Sequence, residues 1–125
     1  MALKIGKKNS VIEVEHKGAY FDIELMGASA ENKLAEKYTT YNRRTQQEKV
    51  DTVGLLAERF KRMCQGWRGI VDEDSSGNTI DVECTDDNKR RFAENNFSDA
   101  VEVISKAREK ADEQSYVEYD NLKNL

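Results

Sequence analysis

Four groups of side chains in this 125-residue sequence have the types needed for chemistry. The densest is Asp72-Glu73-Asp74-Ser75-Ser76-Gly77-Asn78, with Glu83 at the twelfth place counted from Asp72. Acids at the first and third places, Ser at the fifth, Gly at the sixth and Glu at the last follow the spacing of an EF-hand calcium loop. Such a loop surrounds a hard cation with oxygen ligands, here Asp72, Asp74, Ser76, Asn78 and Glu83. Two features compete with that reading. Thr79 holds the eighth place, where an aliphatic side chain normally pairs loops, and the following IDVECT alternates like a strand where an exiting helix belongs. The plain alternative is an acidic glycine turn between two strands. His16, the only histidine, falls on the apolar side of an alternating segment with no serine or cysteine elbow beside it. A lone imidazole without a nucleophile to activate is expected to be a hydrogen-bonded, half-buried residue. Cys64 and Cys84 stand twenty residues apart without metal spacing, and are expected as buried free thiols. Asp86-Asp87 is explained by helix capping, and no glycine-rich phosphate loop occurs. The sequence therefore assigns no catalytic residue, no cofactor and no metal, with the calcium loop as the alternative.

The elements that must position these groups are legible in the periodicity. Val11–His16 and Tyr20–Met26 alternate apolar and polar residues around Lys17-Gly18, which predicts a β-hairpin. Gly27-Ala28-Ser29 breaks the alternation, with Ser29 placed to cap a helix that carries Leu34, Tyr38 and Tyr41. Thr45 and Glu48 match a capping box for a second helix bearing Val50, Val53, Leu56, Ala57, Phe60, Met63 and Cys64. One long helix over 30–65 is the alternative; two are preferred because Arg43–Gln47 offers no apolar position. Gly66 is read as the residue that closes that helix. Trp67, Ile70 and Val71 then lead into the acidic turn and the alternating Ile80, Val82 and Cys84. Thr85-Asp86-Asp87 starts a third helix ending near Asn95-Asn96. A fourth, restarting at Ser98, carries Ala100, Val101, Val103, Ile104, Ala107 and Ala111. Tyr116, Tyr119 and Leu122 either continue that helix or stay loose until a partner orders them.

The expected architecture is α+β: a small antiparallel β-sheet, built from the N-terminal hairpin and a short central hairpin, packed with three to four α-helices. One domain over 1–125 divides into a hairpin region 1–28, a helical pair 29–66, strand-turn-strand 67–85, C-terminal helices 86–114 and a tail 115–125. Apolar residues make up 38% and charged residues 35%, which means a thin core under a strongly solvated exterior. The net charge of −4 argues against nucleic acid and against an anionic membrane surface. The charge is also uneven. Residues 1–66 hold 12 basic and 9 acidic side chains (+3), and residues 67–125 hold 8 and 15 (−7). Two copies as a homo-oligomer, or one copy and a basic partner, could use that asymmetry. MALKIGKKNS has no apolar run for a signal peptide or membrane span, so a cytoplasmic location is expected.

Between Trp67 and Ile104 the order of features resembles the phage tail assembly chaperones. Trp67-Arg68-Gly69-Ile70 matches the family's Trp-x-Gly-Val-like turn, and Asp72-Glu73-Asp74 with Gly77 matches its acidic turn. Thr85-Asp86-Asp87-Asn88 matches the helix start that follows the family's short strand. Phe97 and the stripe after Ser98 match the final amphipathic helix. The sequence departs from the pattern in the extra serine of the turn and the absence of a proline near the second strand, and residues 1–60 match in character only. The resemblance implies a non-enzymatic protein that holds an extended helical tape measure protein soluble and recruits tail tube subunits to it. Partner contact would use an exposed apolar stripe, with Tyr116, Tyr119, Leu122 and Leu125 as the residues the core does not need. A generic protein-interaction domain of a prophage or bacterial regulator is the remaining alternative.

Overall fold

A computed structural model describes the backbone of residues 11–123 and the side chains of residues 11–114. The class is α+β, with four helices and seven short strands among the described residues. Strands β1 (Val11–His16) and β2 (Ala19–Glu24) form the expected hairpin, in register Ile12↔Ile23, Val14↔Phe21 and His16↔Ala19. Lys17 and Gly18 both take positive φ (50° and 82°), the turn that matches the twist of paired strands. The alternation puts Ile12, Val14, His16, Ala19, Phe21 and Ile23 on one buried face.

The segment 29–66 is not a simple helical pair. Helix α1 (Ala28–Lys37) is followed by a second hairpin, β3 (Thr39–Asn42) with β4 (Gln47–Val50), and only then by α2 (Thr52–Met63). Thr45 and Glu48 make no capping box, because Glu48 lies opposite Tyr41 across the hairpin and Gln46 turns at φ 55°. Thr39, Thr40 and Tyr41 are strand formers, and the run without apolar residues that argued for two helices serves as a β-turn between them. Asp51 caps α2 instead, its Oδ1 accepting from the Gly54 amide at 3.0 Å. A Cβ at Gly54 would press on that carboxylate, so the glycine that weakens the helix makes room for its cap. Val50, which precedes α2 on β4, and Val53, in its first turn, are both exposed and do not belong to the helix's buried face of Leu56, Ala57, Phe60 and Met63. Tyr41 is likewise 58% exposed. The residue before α1 is Gly27, and Ser29 lies inside the first turn.

Gly66 does not close α2 either. The helix ends at Met63 and the chain passes directly into β5 (Cys64–Arg68), where Cys64 is extended (φ −79°, ψ 113°). β5 pairs with β2, Phe21↔Trp67 and Ile23↔Cys64 across a bulge, so sheet hydrogen bonds take over where a glycine cap was expected. The sheet order is β1-β2-β5. The central hairpin, β6 (Val71–Glu73) with β7 (Thr79–Asp81), is a separate ribbon. Between β5 and β6 the left-handed glycine is Gly69 (φ 82°), where a Cβ would stand 3.1 Å from the Gly18 carbonyl oxygen.

Helix α3 (Asp86–Asn95) starts as expected, Thr85 Oγ1 accepting from the Asn88 amide at 3.2 Å, and breaks at Asn96. α4 (Phe97–Lys123) buries Ala100, Val103, Ile104 and Ala107 but leaves Val101 39% exposed. Its helical backbone runs through positions 116, 119 and 122, and Leu125 lies outside the described residues. At the centre Phe21, Phe60, Trp67 and Phe92 pack ring against ring, every pair of centroids between 5.3 and 6.4 Å. Three stretches distant in sequence, β2, the consecutive α2 and β5, and α3, thus meet at one cluster, where edge-on and tilted contacts add to the burial of each ring. No described helix is long and apolar enough to cross a membrane.

Candidate functional site

The stretch after α2 builds a groove because three consecutive short strands cannot bury themselves alone. β5 joins the sheet, and the β6–β7 ribbon lies beside α3 instead. Between them is a cavity of about 310 Å³, lined by Trp67, Ile70, Val71, Asp72 and Val82 on one side and Asn88, Arg91, Phe92, Asn95 and Asn96 on the other. Trp67 is the hinge of this arrangement. Its ring belongs to the aromatic cluster, and its Nε1–H donates to the Val82 carbonyl at 2.8 Å. The Val82 amide donates to the Ile70 carbonyl at 2.9 Å, which extends the ribbon by one rung. Arg91 reaches across the groove mouth and donates to Asp72 Oδ2 at 2.6 Å. The lining is mixed, with the polar Asp72, Asn88, Arg91, Asn95 and Asn96 beside the apolar Trp67, Ile70, Val71, Val82 and Phe92, and more of its exposed surface is polar than apolar.

The five residues of the calcium spacing are divided by this geometry. Asp74 Oδ1 accepts from the Ser76 and Asn78 amides, both at 2.9 Å, and the Asp74 amide donates to the Asn78 carbonyl. Asp72 lies on β6 with its carboxylate shared between Arg91 and the Glu73 amide. Glu83 lies beyond β7, its carbonyl accepting from Asn88 Nδ2 at 3.0 Å. The acids are spent on folding a β-turn around Gly77 (φ 79°) and on one ion pair. Asp72, Asp74 and Glu83 do not form a group with mutually close ligand atoms.

The group that does is one the sequence did not suggest. Among the described residues, His16, Asp99 and Glu102 bring a ligand atom each to within 4.8 Å of one another. His16 is 5% exposed; its Nε2 lies 2.8 Å from Asp99 Oδ1 and 3.4 Å from Glu102 Oε2. Lys106 Nζ stands 2.9 Å from His16 Nδ1. An ammonium can only donate, so Nδ1 accepts, and Nε2–H donates to Asp99. A metal-bound imidazole needs the opposite tautomer, with Nδ1–H donating outward. Lys17 Nζ meets the same Asp99 oxygen at 2.9 Å, where a cation would lie. The hydrogen bond from Lys17, and then that from His16, hold the Asp99 carboxyl below its usual range, while Asp99 holds Lys17 above its own. The cluster is an ion-pair network that ties the first turns of α4 to the β1–β2 turn. Its sequence signal was the series Asp99, Glu102, Lys106 on one helix face, invisible until His16 arrives from a strand 83 residues away.

The same face of α4 also closes the free edge of the sheet. Lys106 and Lys110 donate to the Glu15 and Glu13 carbonyls at 3.3 and 2.6 Å. Lysines four apart on a helix rise about 6 Å, close to the ~6.6 Å between alternate strand residues, so one ladder matches the other. Cys64 and Cys84 are free but adjacent, Sγ to Sγ 3.9 Å, a proximity their spacing did not suggest. No family model, no curated protein and no solved structure matches the chain.

Proposed function

We propose that this chain is a non-enzymatic binding protein of the phage tail assembly chaperone kind, which keeps a helical tape measure protein soluble in the host cytoplasm and brings tail tube subunits to it. The observation that carries the reading is the reach of α4. Among the residues whose side chains are described, its last buried one is Ala107 and Ala111 is half-buried, and the helical backbone continues to Lys123. That continuation is roughly 18 Å at ~1.5 Å per residue. A helix segment of such length is marginal in water by itself, and one with apolar residues at regular spacing is a natural docking element for another helix. Tyr116, Tyr119, Leu122 and Leu125 recur at three-residue intervals there and are the proposed contacts. Four residues of the pieces that carry the resemblance, Trp67, Ile70, Asp72 and Asn88, line one groove, which also supports the reading.

The test is to read the neighbouring genes for a long, coiled-coil-rich open reading frame and to co-express its product with this chain. The expected result is that the long protein is soluble with the chain present and insoluble without it. Replacing Tyr116, Tyr119 and Leu122 together by Ala should abolish co-purification while leaving the melting temperature unchanged. Neighbouring genes of purely metabolic or regulatory type, or a long protein equally soluble alone, would end the proposal.

A further inference from the structure

We propose that Cys64 and Cys84 form a reversible intramolecular disulfide, entered from solvent at Cys84, that clips the groove wall to the end of α2. This goes beyond the binding role and does not depend on it. Cys64 is the first residue of β5 and has no solvent exposure; Cys84 is half-buried and sits just before the Thr85 cap of α3. Their sulfurs lie 3.9 Å apart. A disulfide needs about 2.05 Å, so the pair must close by ~1.9 Å, shared between two short side chains. Among the described residues, no charged side chain is hydrogen-bonded to either sulfur. The one further contact is Cys64 Sγ–H to the Gly66 carbonyl at 3.4 Å.

The chemistry is thiol–disulfide exchange with a low-molecular-weight disulfide as oxidant. The Cys84 thiolate attacks one sulfur of the small disulfide and expels one small thiolate, leaving a mixed disulfide on Cys84. The Cys64 sulfur, already in contact, gives up its proton and attacks Cys84 Sγ, and the second small thiolate leaves. Two protein thiols are oxidised and one small disulfide is reduced to two thiols, each taking one proton. Burial raises both thiols above their ordinary range, Cys64 more strongly, while the Lys89 ammonium offsets part of that rise. The reaction is therefore slow near neutrality and accelerates with pH. The closed loop contains β5, β6 and β7, so oxidation tethers the groove wall of Ile70, Val71 and Val82 to the start of β5.

The experiment uses the reduced full-length chain and oxidised glutathione, followed by intact mass and thiol labelling. The expected product is lighter by two hydrogens, monomeric, and blocked to thiol labelling at both cysteines. Its formation should be about thirty-fold faster near pH 8.5 than near pH 7, following the thiolate fraction. Its melting temperature should rise by about 10 °C, from closure of a loop of this size. Cys64→Ser should stop at a stable glutathione adduct on Cys84, and Cys84→Ser should remain unmodified. A wild-type adduct that never closes, a disulfide between chains, no reaction, or Cys64 modified in Cys84→Ser would each overturn the proposal. So would an oxidised form that melts lower than the reduced one, because the bond would then require a distorted fold.

Discussion

Glu58→Gln is expected to lower stability by about 1.5 kcal/mol near neutral pH. Glu58 is a helical residue of α2 whose side chain is only 12% exposed. Its Oε1 meets Lys61 at 3.2 Å and Arg62 at 3.1 Å, and its Oε2 meets Arg90 of α3 at 3.3 Å. The two pairs within α2 are worth ~0.3–0.5 kcal/mol each. The pair to α3, on a largely buried acceptor, is worth ~1 kcal/mol as a charge-assisted hydrogen bond. The larger penalties for splitting a buried pair do not apply, because Arg62 and Arg90 are 42% and 43% exposed and regain water. Against these stands the cost of burying the carboxylate. Burial pushes the Glu58 carboxyl up, but Lys61, Arg62 and Arg90 together hold it below its usual range, so the cations win. Urea unfolding followed by Trp67 fluorescence should show a midpoint lower by about 0.7 M, taking a slope near 2 kcal/mol/M. The pH arm fixes the cause. A carboxyl whose folded pKa is depressed contributes stability above its unfolded value and loses it as pH falls through the folded value. The parent and Glu58→Gln should therefore converge in acid, once pH falls below the depressed folded pKa. Equal stability at neutral pH, or a gap that persists unchanged in acid, would refute the electrostatic account.

Gly69→Ala should cost about 2–3 kcal/mol, because φ is +82° and the new Cβ would crowd the Gly18 carbonyl and Ala19 Cα; Gly77→Ala, at φ +79° with open space, should cost only about 1 kcal/mol by the same unfolding assay. Phe60→Ala, at the fully buried centre of the four rings, should cost about 3–5 kcal/mol, whereas Phe60→Leu should cost under about 1.5 kcal/mol. Calcium titrated to about millimolar should leave Trp67 emission unchanged, since Asp74 is occupied by the Ser76 and Asn78 amides and Asp72 by Arg91. A saturable change lost in Asp74→Asn would restore the calcium reading.

What the sequence by itself determined is the part written in local periodicity and local chemistry. The first hairpin, the Thr85 cap, the break at Asn95-Asn96 and the buried stripe of α4 all follow from residues within a few places of one another, where backbone preference and hydrophobic spacing agree. Local signals failed where two of them were compatible with the same residues. Thr45 and Glu48 satisfy a capping box on paper, but strand pairing of Thr39–Asn42 with Gln47–Val50 satisfies more backbone groups and leaves Asp51 to cap α2. Gly66 could end a helix, but the open edge of β2 offered hydrogen bonds to the same segment. Only the tertiary structure decided which distant side chains meet. His16 with Asp99 and Lys106, Cys64 with Cys84, and Arg91 with Asp72 are joined by strand order and helix packing, not by spacing. The acidic run at Asp72–Asn78 shows the reverse case. Its composition suited a cation, and pairing of the flanking strands committed Asp74 to backbone amides and Asp72 to Arg91 and the Glu73 amide instead.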